Sequence, residues 1–175
     1  MTSNPFWQTW IRRVLFGAAI FLAGCMALFV VATVYSLIFS ETHHEDVPLT
    51  VTRARELGCP IPLPDSARNV QFAYYHHWIE FEMDVRFEAS PEICKEHVKT
   101  VIEANAKNYK WLPHPTDLIP VTSMPPINNH DGLGVIPWFD IDNITHGVGR
   151  SGQGSYDPDI WIDDDRGIFY YRITD

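Results

Sequence analysis

The longest hydrophobic feature of the chain is the run from Val14 to Phe39, VLFGAAIFLAGCMALFVVATVYSLIF, which holds no charged residue in 26 positions. Roughly 20 apolar residues span the hydrocarbon core as a helix. The run therefore predicts one transmembrane helix over 14–39, with length to spare for tilt. Trp7 and Trp10, three apart, suit one membrane interface and Tyr35 the other. Asn4-Pro5 reads as a helix cap followed by a first helical residue, so the helix is expected to begin ahead of the membrane.

Beyond residue 60 the periodicity changes. Asn69 to Tyr75 has the β-branched and aromatic content of a strand, with Val70, Phe72 and Tyr74 inward. From Ile79 to Phe87 apolar residues alternate with Glu80, Glu82, Asp84 and Arg86, the pattern of a half-buried antiparallel strand. Inward parity flips near His76-His77-Trp78, which predicts a hairpin turn or a bulge there. Ser90-Pro91-Glu92 opens a helix expected to end near Asn108, with His97 on its apolar face. Pro113, Pro115, Pro120, Pro125, Pro126 and Pro137 then break the chain into an irregular segment. A short helix is expected within 137–145. A terminal hairpin follows, 160–163 with 168–174, across Asp164-Asp165-Arg166-Gly167. Strands and helices are segregated, so the fold class is α+β with an antiparallel sheet. The organisation expected is an N-terminus over 1–13, the membrane helix over 14–39, a polar stalk over 40–60 and an exported α+β domain over 61–175.

Charge gives the chain a direction. Residues 1–40 carry Arg12 and Arg13 and no carboxylate, whereas the remaining 135 residues hold all 22 acidic and 11 basic side chains, a formal −11. Basic flanks stay cytoplasmic, so the N-terminus is expected inside a plasma or inner membrane and the C-terminal part in the periplasm or outside the cell. The acidic excess argues against nucleic acid as a partner, because phosphates need a basic face.

Two other readings of the apolar run compete with a retained helix. A cleaved signal peptide has a shorter core and a small-residue cleavage site, which Leu37-Ile38-Phe39 does not offer. Leu22-Ala23-Gly24-Cys25 resembles the lipobox of bacterial lipoproteins, which implies lipidation at Cys25. Met26 to Phe39 continue apolar past that cysteine, however, and favour the retained helix. Ala19, Ala23 and Ala27 repeat every four residues, a stripe that permits helix–helix contact with other membrane proteins.

Candidate chemistry is sparse. Gly147-Val148-Gly149-Arg150-Ser151-Gly152 has the letters of a dinucleotide loop but lies before a strand, so a plain glycine loop is expected. The aspartates from Asp157 to Asp165, and Asp140-Ile141-Asp142-Asn143, fit no calcium-loop register. Glu80, Glu82 and Asp84 share one strand face and are expected to be solvated, or to meet a partner. Cys59 and Cys94 fit either a disulfide of an oxidising compartment or two buried thiols. Asn143-Ile144-Thr145 is a glycosylation sequon. No cofactor or metal is expected. The function read from these features is a non-enzymatic binding or structural domain on a single-pass anchor in the lipid bilayer, as a subunit of a membrane complex. The alternatives are a membrane-tethered hydrolase using aspartates and histidines, and a lipoprotein held at Cys25.

Overall fold

The computed structural model describes residues 5–39, 41–77, 80–109, 115–125, 133 and 136–175. Two units emerge, Met1–Ser40 and Glu41–Asp175. The first is helix α1, Pro5–Phe39. Its stretch Arg13–Tyr35 is long and apolar enough to cross a membrane, with a mean hydropathy of 2.7. Phe16, Phe21, Leu28 and Phe29 are each at least 70% exposed, so the helix is apolar on every face. A helix of that kind belongs in lipid or in a large core.

The second unit is α+β. One antiparallel sheet is built from β1 (Glu41–Leu49), β2 (Arg68–His77), β3 (Glu80–Glu88), β4 (Ile119–Pro120), β5 (Gly147–Arg150), β6 (Asp159–Asp163) and β7 (Ile168–Thr174). The strands lie in the order β1-β2-β3-β7-β6-β5-β4. Helix α2 (Val51–Glu56) is capped by the Thr50 side chain, and α3 (Pro91–Asn108) by Ser90, with Pro91 in its first turn.

β2 and β3 form a hairpin in which Phe72 faces Val85 and His77 faces Glu80. A two-residue connection between strands accounts for the parity change; Trp78 and Ile79 themselves lie outside the described residues. Val70, Phe72, Val85, Phe87, Phe169, Ile160 and Ile162 form the inner sheet face and are almost wholly buried. Cys94, Val98, Val101 and Ile102 of α3 and Ala54 of α2 cover them. β7 is central and buried on both faces, which is why its sequence IFYYRIT shows no apolar–polar alternation. On the opposite face Ile168 and Tyr170 pack with Trp161 and Ile144 under Phe139 and Ile141.

Two expectations need correction. Residues 40–60 were expected as a stalk, yet Glu41–Leu49 pairs with β2 and Ala54 of α2 is wholly buried. An edge strand needs only one partner, and β1 is held by Leu49 against the core and by the His43 ring, stacked on Phe72 and Tyr74 at 5.2 and 5.3 Å. The helix expected within 137–145 is a single 3-10 turn, Ile141–Asn143. No side chain caps it: the Asp140 carboxylate instead accepts from the Asn143 amide at 2.6 Å and lies 3.5 Å from Arg166.

Candidate functional site

The charged residues of β3 meet their counter-ion from the other end of the chain. Register places Asp84 opposite Arg172 of β7, and Arg172 opposite Asp159 of β6. The Arg172 guanidinium donates to both Asp84 oxygens, Nε at 2.7 Å and Nη2 at 2.6 Å. That fork-to-fork geometry is the strongest form of the pair. Glu82 approaches the same guanidinium at 3.8 Å and accepts from the Leu133 backbone N–H at 2.8 Å. The Phe139 ring lies on the other side of Arg172, its centroid 4.5 Å from the guanidinium carbon. Glu82 is 3% exposed and Asp84 0%.

The expectation of a solvated or partner-facing row at Glu80, Glu82 and Asp84 is therefore corrected. Glu80 alone is exposed. The other two are buried because Arg172 neutralises them and Phe139 and Leu133 close over the face. Asp159, at the far end of the row, accepts from the Gly152 N–H at 2.8 Å. Burial pushes its carboxyl above the ordinary value, against the hydrogen bonds from Gly152 and Ser151.

A second buried pair lies on β5. Arg150 is 2% exposed and grips both oxygens of Asp157 at 2.6 and 2.7 Å. It also donates to the carbonyls of Pro115, at 2.6 Å, and Pro158. One side chain thus ties the proline-rich segment, β5 and the approach to β6 together. The glycines of 147–152 are correspondingly not a flexible loop: Gly147–Arg150 is strand β5, and a Cβ at Gly147 would collide with the Ile162 carbonyl. Asp163 closes the β6–β7 turn, accepting from the Asp165 and Arg166 backbone amides and from the Arg166 side chain.

The remaining candidates stand apart. Cys59 and Cys94 are free thiols, and burial raises them to about 11 and about 12, where almost no thiolate is present at neutral pH. His97 is buried, with Nε2 2.9 Å from the Pro62 carbonyl and its ring edge-on to Phe87 and Phe169. Cys25 is exposed within α1, on the same helix as Ala19, Ala23 and Ala27. Asn143 and Thr145 of the sequon are exposed. Among the described residues, no group of three or more His, Cys, Asp or Glu is placed to hold a metal ion.

Arg172 escaped the sequence reading, and Arg150 and Asp159 entered it only within a glycine motif and an acidic run, not as members of buried ion pairs. A lone arginine inside the apolar run IFYYRIT was the available signal, because a buried guanidinium requires carboxylates. The chain matches no protein-family model, no curated protein and no solved structure.

Proposed function

We propose that the chain is a single-pass membrane protein that presents an acidic, non-enzymatic binding domain on the exported side, as a subunit of a membrane complex. The observation that carries this reading is the placement of charge. Arg12 and Arg13 flank the apolar run on one side, and a domain of formal charge −11 follows it on the other.

The role of the buried charges supports binding over hydrolysis. A general acid–base pair needs two carboxylates whose environments separate them and which face substrate. Asp84 and Asp157 each spend both oxygens on a guanidinium. Their chemistry is cohesive: they hold a two-faced sheet and its irregular cover in one arrangement. The acidic exterior suits a basic partner surface, and association driven by such charge weakens with salt.

Co-purification from gently solubilised native membranes tests the assembly. At low salt the chain is expected to carry a stoichiometric membrane partner with an excess of Lys and Arg, and to lose it as salt rises. Recovery of the chain alone at every ionic strength would overturn the subunit reading. An intact N-terminus by mass spectrometry is expected from the same preparation; a lipidated Cys25 as first residue would instead establish the lipoprotein.

A further inference from the structure

The inner face of the sheet is not covered to its end. Val85 and Phe87 are wholly buried under α3, but Phe81 and Met83 on the same face of β3 are only half-buried. The space over them is a cavity of about 140 Å³ between the sheet, the last turns of α3 and the Pro60–Pro62 entry. A cavity of about 150 Å³ is large enough for a benzene ring, and this one is a part-open cleft with polar as well as apolar groups at its surface.

Its walls define the ligand. Phe81, Met83 and Ile173 form the floor, Val101 and Ala104 one side, and the twelve described lining residues include no charged side chain. Hydrogen-bonding capacity comes from the amides of Asn105 and Asn108 and the phenols of Tyr109 and Tyr171. Burial raises both tyrosines above the ordinary phenol value, so these two hydroxyls keep their protons and can donate.

One wall is also set in place from behind. Tyr109 stacks on Tyr156 with ring centroids 4.8 Å apart. Tyr156 has φ +64, a backbone conformation that costs energy in an aromatic residue. It is fixed there by its N–H to the Thr174 carbonyl at 2.7 Å and by the Asn105 amide, which donates to its carbonyl at 2.8 Å. Strain held by specific bonds beside a cavity is the arrangement found at ligand sites.

We infer that this cavity binds a small, neutral, single-ring molecule bearing a hydroxyl or amide group. The site lies wholly within Glu41–Asp175 and does not depend on the membrane placement proposed above.

Phenol serves as the probe and benzoate as its charged counterpart, titrated into the detergent-solubilised full chain with labelled methionine methyl groups. Of the three described methionines only Met83 lines the cavity, so Met26 and Met124 report non-specific uptake. Phenol is expected to shift the Met83 methyl saturably with a Kd on the order of 1 mM. Benzoate is expected to bind at least about tenfold more weakly, because the described lining offers an anion no counter-charge. Ala104→Leu, a good helix former placed to fill the space, should weaken phenol at least about tenfold. Glu103→Leu, one position away on the exposed face, should leave binding unchanged. A Met83 methyl that fails to saturate, equal binding of benzoate, or a filled variant that titrates like the parent would each overturn the assignment. The two titrations of the unaltered chain need no variant, so misfolding of Ala104→Leu leaves the test intact.

Discussion

Arg172 is a buried guanidinium whose charge is met from two neighbouring strands and capped by an aromatic ring. Removing one member of such a pair leaves an uncompensated buried charge. Asp84→Ala is therefore expected to cost about 3–5 kcal/mol in chemical denaturation of the solubilised chain. The double change Asp84→Leu with Arg172→Met removes both members of the fork, so it should cost less than the two single changes added together, although Glu82 then loses the Arg172 charge beside it. A cost for the double variant equal to the sum of the single ones would refute the coupling. His97 makes a pH prediction. Burial lowers its affinity for a proton in the folded state. Between that lowered value and about 6.5, the unfolded chain binds more protons than the folded one. His97 therefore contributes full stability above about pH 6.5 and loses it as pH falls below that. His97→Phe, which keeps a ring between Phe87 and Phe169, should flatten this part of the pH profile; an unchanged acid limb would contradict the assignment. His97 was readable from its helical spacing, whereas Glu82 and Asp84 were not. Their alternation is what a wet strand shows, and the neutralising arginine lies 88 residues beyond Asp84.

At the scale of elements, what could be read and what could not divides by where the information lies. The β2–β3 hairpin, α3 and the β6–β7 hairpin each carry their signal locally: alternation, a Ser-Pro-Glu start, a turn ending in Gly167 at φ +62. β1 and β5 carry none. β1 has a proline at position 48 and four titratable residues in a row, which is how edge strands resist pairing with a second chain. β5 is a strand because its glycines permit close approach to β6, something no local pattern announces. Gly147→Ala is accordingly expected to destabilise the domain by about 1–3 kcal/mol, the usual cost of forcing volume into a packed site. Unaltered stability of that variant would mean β5 does not pack against Ile162 as described. For α3, Ser90→Ala removes the acceptor for the Ile93 N–H and should cost about 1 kcal/mol by the same measurement.

For the whole molecule, the charge average of −9 conceals a chain of two characters. Helix α1 has exposed apolar side chains along its length, and the domain after it has a central strand buried on both faces and two buried arginine–aspartate pairs. A helix long and apolar enough to cross a membrane was readable, because that property is a length and a composition that a local run of residues carries. The architecture of the domain was half readable, because its second face depends on contacts from Leu133, Phe139, Ile141 and Ile144 to strands distant in sequence. The most direct measurement of the central claim is labelling of a Ser66→Cys variant by a membrane-impermeant maleimide in intact cells or spheroplasts. Ser66 is exposed, while the native thiols of the domain are shielded and weakly acidic. A single-pass anchor with its domain outside gives full labelling before permeabilisation, on a chain that stays in the membrane through an alkaline wash. Labelling only after permeabilisation, or release of the chain into the soluble fraction, would contradict it.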